Sequence, residues 1–323
     1  MRGTATDNLR RGRYSVALLL CTVLLTGCQG KALKLGIHPW IGCDVIPMAQ
    51  QWGWMGPEVE LVKTGSGAGA MAALASGELH AACLTLDEVI RGLDRGLPLS
   101  IIVVMDLSSG ADSLLVRPDI NAISQLQGRR IALETSGVSM LMLTAALASG
   151  GLSVADVELV DAAPTQLLEL WQSGTVDAVT TYEPFTRALR SGGAATLLSS
   201  RDTPELIFDV IAVHRDAMAG RQKTLEKLVS AVLRAQAHVH EDPIDALYRL
   251  ASLHERPVRA IEEELRQIVV PTRDAQYSYF ERDSSLRAAV QRINGLFVDA
   301  RIIDRPQSHA RLLDSRFLPE PGS

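Results

Sequence analysis

Residues 33–42 read LKLGIHPWIG, and this segment predicts a strand that runs through an aromatic turn into a helix. Apolar residues recur at every second position from Leu33 to Ile37, which is the period of a strand with one face against a core. Pro39 and Trp40 then end the alternation and mark the turn. The same order of strand, turn and helix is repeated downstream.

Short apolar runs predict eight further strands, at residues 59–62, 81–84, 101–105, 114–116, 131–133, 157–160, 178–181 and 207–213. Helical patterns lie between many of them, at residues 71–75, 86–93, 140–148 and 166–172. Apolar strands that alternate with helices are typical of an α/β protein. We therefore predict mainly parallel sheets with helices on both faces.

The pattern changes after residue 220, where apolar residues step at spacings of three and four through residues 225–239. Asp242 and Pro243 cap and start a second helix, a third follows Pro257, and a fourth spans residues 286–297. We predict that these helices pack on the first domain. The length of the chain favours two domains, because a single core seldom serves about 300 residues.

The N-terminal segment has the pattern of an export signal. Four arginines precede an apolar run from Val16 to Leu25, which is too short to span a membrane. Leu25-Thr-Gly-Cys28 resembles the lipobox of bacterial lipoproteins, in which the cysteine is lipidated and the chain is cut before it. We predict a signal peptide at residues 1–27, a lipid (palmitate-bearing) anchor on Cys28 and a short tether at residues 28–31. An ordinary export signal is the alternative.

Composition narrows the classes of partner. Loss of residues 1–27 takes away four arginines and one aspartate, which makes the net charge of −5 still more negative. An acidic chain argues against a nucleic-acid partner. Cys43 and Cys83 could pair in an oxidising compartment, but Cys83 lies in an apolar run that predicts a buried, unpaired thiol. No cysteine or histidine spacing is typical of zinc, so no metal site or cofactor is predicted.

Five short motifs occur in a characteristic order. They are Lys34–Gly42, GELHAA from Gly77, LQGRRI from Leu126, GTVDAV from Gly174, and YEPF from Tyr182. Their order resembles that of the periplasmic substrate-binding proteins of nitrate, sulfonate, taurine and thiamine-precursor ABC importers. The resemblance covers essentially the whole chain after the leader.

This resemblance implies a type II-like periplasmic-binding-protein fold, with two lobes joined by a two-segment hinge. Lobe one would comprise residues 32–113 and 212–323, and lobe two residues 114–211, with hinge crossings at 108–115 and 208–213. It also implies a monomer that passes a small molecule to ABC permease and ATPase subunits. Gln29 after the lipobox cysteine resembles the pattern of lipoproteins sorted to the outer membrane.

Two loops are candidates for the ligand site, because each follows a strand and opens a helix. Thr64–Met71 contains Ser66 and Gly67, and Glu134–Ser139 contains Thr135, Ser136 and Gly137. Helix N-termini favour anions, and small residues allow a ligand to approach the backbone. One such loop is explained by an ordinary helix cap, but two that face one cleft favour a site for an anionic group.

The glycines at 65 and 67, with Ala70, also match the dinucleotide fingerprint. We discount that match, since the segment follows the second strand and an exported protein meets little nicotinamide cofactor. Asp87 is predicted to cap the helix that follows it, or to line the cleft beside Thr85.

Three further residues are predicted to line the cleft. Trp40 would give a flat apolar wall, or else pack against lobe-one helices. Tyr182 and Glu183 follow a strand, and the Glu183 carboxylate would prefer an amine or ring N–H, although a favourable helix dipole also explains it. Combined with the two loops, they predict a small anionic or zwitterionic ligand.

Two other functions remain open. An enzyme related to thiamine or menaquinone biosynthesis would share the resemblance, but the chain has no cysteine cluster and no Gly-x-Ser-x-Gly motif, so catalysis is not predicted. His38 and His80 are expected to be packed residues rather than bases. A subunit that reports ligand occupancy to a membrane receptor would use the same cleft.

Overall fold

The computed structural model describes residues 32–308 and 311–320. The predicted signal peptide, Cys28 and the tether lie outside the described residues. Within those ranges, no helix is both long and apolar enough to cross a membrane.

The first sheet has six strands in the order β11-β4-β10-β3-β1-β2. Strand β1 is parallel to both β2 and β3, whereas β10 is antiparallel to both β3 and β4. The bounds are β1 Leu33–Ile37, β2 Val59–Lys63, β3 Ala81–Thr85, β4 Leu99–Ser108, β10 Phe208–His214 and β11 Ile268–Val269.

The second sheet has five strands in the order β7-β6-β8-β5-β9. Both of its faces are buried, because neighbouring residues such as Leu114 and Leu115 belong to hydrophobic clusters on opposite sides. The bounds are β5 Asp112–Val116, β6 Arg130–Leu133, β7 Glu158–Asp161, β8 Ala178–Tyr182 and β9 Ala195–Ser199.

Helices cover the sheets. They are α1 Val45–Gln51, α2 Gly67–Ala75, α3 Leu86–Asp94, α4 Val138–Ser149, α5 Leu167–Gln172, α6 Phe185–Ser191, α7 Gln222–Glu241, α8 Pro243–Leu253, α9 Val258–Leu265, α10 Arg273–Phe280 and α11 Ser285–Asp299. Helix α4 is buried around its circumference. Leu143 and Leu147 pack on the second sheet, while Leu141 and Met142 join the core of the first. The core is therefore continuous between the two sheets at α4.

The predicted α/β class and all nine predicted strands are confirmed. The prediction of mainly parallel sheets is wrong, because both sheets are mixed. Strand β5 is the first strand after the chain enters the second sheet, and β10 is the first strand after it returns to the first sheet. Each is antiparallel to its neighbours. Strand β9, strand β11 and helix α10 were not predicted; β9 is only half-buried and α10 is largely polar, so neither has a strong apolar pattern.

The chain passes between the sheets twice. The first passage lies between β4 and β5, at residues 109–111, inside the predicted crossing at 108–115. The second was predicted at 208–213, but that segment is β10, whose partners both belong to the first sheet. The passage occurs instead between β9 and β10, at residues 200–207. The predicted lobe boundaries near residues 113 and 211 stay a prediction.

A disulfide joins Cys43 to Cys83, with the two Cα atoms 6.3 Å apart. The prediction of an unpaired Cys83 thiol is therefore wrong, although its burial in a strand is confirmed. Strands β1 and β3 are direct neighbours, so the turn that follows β1 brings Cys43 next to Cys83. Spacing along the chain does not reveal that neighbourhood.

Replacing both cysteines with alanine should keep the fold and reduce its stability. The bond closes a loop of 40 residues, so its loss should lower the free energy of unfolding by about 2–4 kcal/mol. Urea unfolding of the Cys43→Ala, Cys83→Ala variant measures this, and added reductant should shift the wild-type midpoint but leave the variant unchanged. Equal urea midpoints for the variant and the wild-type protein without reductant would contradict the structural role of the bond.

Candidate functional site

A small cavity lies where strand ends of the two sheets meet. His38 and Trp40 follow β1 and Thr85 ends β3 in the first sheet, while Glu134 follows β6 and Tyr182 ends β8 in the second. The remaining lining residues are Gly67, Glu88, Asp112, Val138, Ile207 and Asp209. Ligands of open α/β sheets gather at such strand ends. The cavity measures about 20 Å³, which is room for roughly one water molecule.

The cavity wall is acidic. Four of its eleven lining residues are carboxylic acids, and none is lysine or arginine. Burial lowers the pKa of His38 to about 4, so its imidazole is neutral at pH 7. The lining residues therefore supply negative charge or neutral groups, and no cation.

Strand register places these acids together. On β10, Asp209 stands opposite Thr85 of β3 on one side and opposite Asp106 of β4 on the other. In the second sheet, Asp112 stands opposite Tyr182. Like charges directly opposite in a sheet are destabilising, so the pair of Asp106 and Asp209 needs a proton or a cation between them.

Burial shifts the ionisation of the whole group. It raises the pKa of Asp112 to about 7, and burial together with the Asp87 charge raises the pKa of Glu88 to about 8. Burial raises the pKa of Asp106 to about 7. The pKa of Asp209 lies well above its usual range, through burial and the nearby charge of Asp106. These acids thus hold protons at pH values where exposed carboxyls have lost them.

The nearest buried cation does not neutralise the cavity. Arg91 donates from Nη2 to Asp87 Oδ2 at 2.7 Å and from Nη1 to the Thr135 carbonyl at 3.2 Å. Its charge is therefore matched by Asp87, a carboxylate that does not line the cavity. The Arg91 charge also lowers the pKa of Glu88, but burial raises that pKa by more, so it stays above its usual range.

Several contacts connect the two sides of the cavity. Ser66 Oγ donates to Glu134 Oε1 at 3.1 Å, and the Trp40 and Tyr182 rings meet edge to face with centroids 5.9 Å apart. Trp40 Nε1 also donates to Asp106 Oδ2 at 3.1 Å. The Glu88 carboxylate lies against Gly67, and a Cβ at that position would displace it. These polar and aromatic contacts thus join the two sides of the cavity around the acids.

The structure brings four of the predicted site residues to the cavity, namely Trp40, Gly67, Thr85 and Tyr182. Ser66 borders it through its bond to Glu134. The other predicted residues of the second loop are turned to different partners: Thr135 donates to Asp161, Gly137 donates to the Glu134 carbonyl, and Ser136 is exposed. Their roles as ligand contacts stay predictions.

Glu183 and Asp87 do not line the cavity. Glu183 Oε1 accepts from Arg190 at 2.8 Å and from Gln267 at 3.3 Å, so its carboxylate already has protein donors. Asp87 is fully buried against Arg91, in the first turn of α3. The prediction that Asp87 caps that helix is wrong, because Thr85 is the N-cap residue and Asp87 bonds to Arg91 instead.

Sequence reasoning missed four cavity acids, Glu88, Asp112, Glu134 and Asp209, as ligand contacts. A usable signal was present for two of them. Asp112 and Asp209 lie within or beside apolar strand runs, where an acid is buried only with a partner or a purpose.

Larger pockets occur on the outer surface. One of about 590 Å³ lies beside Trp54 and beside Arg234 and His238 of α7. The pocket beside Trp54 shares no residue with the cavity at the strand ends. Across residues 32–308 and 311–320, no group of three or more His, Cys, Asp or Glu side chains is arranged to hold a metal ion.

Residues 27–246 match the model of the NMT1-like family, and this range exceeds half of the chain. The chain belongs to the NMT1-like family. A taurine-binding periplasmic protein of Escherichia coli (strain K12) is 25% identical over 185 residues, which are 56% of this chain and 57% of that protein. The alignment thus spans little more than half the length of that relative. The resemblance to periplasmic substrate-binding proteins is confirmed.

Solved structures share the fold of this NMT1-like chain. The alkanesulfonate-binding protein SsuA from Xanthomonas axonopodis pv. citri, bound to MOPS, has a TM-score of 0.74 at 17% identity, covering 90% of this chain and 100% of that one. The desulfurization enzyme DszB has a TM-score of 0.65 at 16% identity, covering 90% and 98%. The predicted two-lobed periplasmic-binding-protein fold is confirmed.

The raised pKa values make the stability of the ligand-free protein depend on pH. A carboxyl whose folded pKa is raised contributes stability that is complete below its unfolded pKa, near 4, and is lost as pH rises through its folded pKa. For Asp112, the stability is lost between about pH 4 and its folded pKa of about 7. Thermal unfolding at pH 5 and pH 8 should therefore show a less stable protein at pH 8.

The Asp112→Asn variant isolates this effect, because an amide keeps the shape and never ionises. It should lose less stability than wild type between pH 5 and pH 8, by on the order of 2–4 kcal/mol. Asp119→Asn, at an exposed position, is the control and should follow wild type. Identical pH profiles for all three proteins would contradict a proton-holding Asp112.

Proposed function

We propose that this NMT1-like protein is the solute-binding component of an ABC importer and holds a small molecule between its two sheets. The observation that carries the proposal is the small cavity formed jointly by strand ends of both sheets. Membership of the family supports it. So do two similar proteins that are named for binding taurine and alkanesulfonates.

We propose that each sheet with its helices forms one lobe, and that the two passages at residues 109–111 and 200–207 form the hinge. The predicted lobe boundaries cut through β5 and β10, so the hinge is better placed in the segments between strands. Short ordered segments that absorb backbone rotation are the usual hinges of closing proteins.

Binding would require the lobes to separate. A cavity of about 20 Å³ is far smaller than the several hundred Å³ of a typical small-molecule site. The contacts that must open are those across the cavity, chiefly between Ser66 and Glu134 and between Trp40 and Tyr182. Closure would then shield the ligand from water until the importer releases it.

Catalysis receives less support, although DszB shows that this fold also serves an enzyme. The two described cysteines are bonded to each other, so neither is available as a thiol nucleophile. A sensing role would use the same cavity and differ only in the membrane partner.

We also propose that the protein is exported and anchored to a membrane surface in the periplasm through a lipid on Cys28, where it works as a monomer. The arginine-rich leader, the apolar run and the lipobox-like Leu25–Cys28 support this. Gln29 favours the outer membrane in a cell that has one.

Closure is tested with a panel of amines, amidines, sulfonates, carboxylates and pyrimidines. A true ligand at about 100 times its Kd should stabilise the protein by about 2.7 kcal/mol, which appears as a higher Tm. Small-angle X-ray scattering should then give a smaller radius of gyration with that compound than without it. An unchanged profile at saturation would contradict the hinge, and a panel without any binder would contradict the function.

The anchor is tested by the Cys28→Ala variant expressed in a bacterial host. Loss of the thiol should abolish labelling by a fatty-acid probe and leave the precursor uncut, since lipidation precedes cleavage in lipoproteins. Cys21→Ala, within the apolar run, is the matched control and should be processed like wild type. Normal processing and membrane attachment of the Cys28→Ala protein would refute the anchor.

A further inference from the structure

We propose that the solute is a small organic cation that carries N–H donors, such as a protonated amine, amidine or guanidine. This inference rests on the proposed binding function and names the ligand class of the same cavity. It departs from the anionic or zwitterionic ligand that the sequence predicts.

The first observation is the unbalanced charge of the wall. Glu88, Asp112, Glu134 and Asp209 line the cavity, and no lysine or arginine lines it. Once the pH exceeds their raised pKa values and these acids ionise, an anion would meet like charge at close range in a medium of low dielectric. A cation would meet opposite charge there.

The second observation is independent of the charge count and concerns unused acceptors. Asp209 is 2% exposed and lines the cavity, yet its Oδ2 has no hydrogen-bond donor among the described residues. Oδ1 of the fully buried Asp106 likewise has none. Asp106 and Asp209 hydrogen-bond each other while one of them holds a proton. When both are ionised they only accept hydrogen bonds, and a ligand with N–H groups would then provide the missing donor.

Carboxylates of the protein stand beside both loops that the sequence predicts to bind an anion. At the N-terminus of α2, Ser66 accepts from the Gly69 N–H and donates to Glu134. At the loop before α4, the Thr135 N–H donates to Asp161 at 2.9 Å.

The aromatic residues suit a cation as well. Trp40 and Tyr182 are buried side chains on opposite sides of the cavity, with their rings edge to face. The faces of such rings attract cations, and the attraction grows when water is excluded. Since the described residues contain no group arranged to hold a metal ion, the chemistry fits an organic cation.

Burial supports the same assignment, since it raises the pKa of Asp112 to about 7 and that of Glu88 to about 8. Among the described residues, Asp112 has no positive charge nearby to stabilise its ionised form, and the Arg91 charge only partly offsets the effect of burial on Glu88.

The test uses probes that match in shape and differ in sign, measured by thermal shift and calorimetry at pH 8 on the full chain after export and processing. Guanidinium is compared with nitrate, benzamidinium with benzoate, and ethylammonium with ethanesulfonate. We expect the cationic member of at least one pair to bind and its anionic partner not to bind. Taurine, which carries both charges, should bind more weakly than ethanolamine.

Variants decide whether binding occurs at this cavity. Asp112→Asn should weaken the cation by about tenfold to a hundredfold, the usual effect of removing a charged hydrogen-bond partner. Asp119→Asn keeps the same change of charge at an exposed position and should bind like wild type. If Asp112→Asn folds poorly, affinity for the same cation is measured with Asp209→Asn, which should also bind it more weakly.

The possible failures are distinct. If an anionic probe binds and its cationic partner does not, the cation assignment is overturned and the binding function stands. The assignment is equally overturned if a cation binds but both cavity variants retain wild-type affinity. If no probe and no member of the wider panel binds, the proposed function fails with it.

Discussion

The burial of several carboxyl groups in one small space, without a cation beside them, is the constraint on which the site depends. An ionised carboxylate loses a large hydration energy when it is buried, and a second charge nearby increases that cost. The chain accepts this cost at Asp106, Asp112, Asp209 and Glu88, all of which are buried. Protons relieve it in the closed, ligand-free arrangement. A ligand that carries positive charge and N–H donors would relieve it better.

The two passages of the chain between the sheets create this arrangement. Because β10 returns antiparallel between β3 and β4, Asp209 falls opposite Thr85 and Asp106. Because β5 enters the second sheet antiparallel to β8, Asp112 falls opposite Tyr182. Two of the four cavity acids, Asp112 and Asp209, therefore come from the strands next to the two passages. Opening of the proposed lobes would expose these acids to water, and closure would bury them again. Closure would therefore depend on whether a ligand lies between the lobes.

Much of the fold follows from the sequence, because the first sheet and the second sheet are built from short apolar strands with strong local patterns. The leader, the alternation of strands and helices, and the C-terminal helices all carry such patterns. The sequence could not show that β5 and β10 are antiparallel, since a buried strand reads the same in either direction. For the same reason the pairing of Cys43 with Cys83 depends on the neighbourhood of β1 and β3, which only the fold defines.

The sequence predicted the position of the candidate site but not the acidic charge of its wall. Trp40, Gly67, Thr85 and Tyr182 reach the cavity, as expected of residues at strand ends. The sequence directed attention to hydroxyls and glycines at helix N-termini, which favour anions. Acids from distant parts of the chain are the basis of the proposed cationic ligand, and Asp112 and Asp209 meet only through the tertiary fold. Their presence inside apolar runs was the one local sign.

The ionisation of the cavity acids tests the central claim most directly. Carbon-13 NMR of the side-chain carboxyl groups, followed from pH 3 to pH 9 in the ligand-free protein, reports each titration. The account predicts a small set with midpoints near pH 7 to 8, one of which disappears in Asp112→Asn. If every carboxyl group instead titrates near the ordinary value of about 4, the cavity is not a site of buried, uncompensated acids and the account is contradicted.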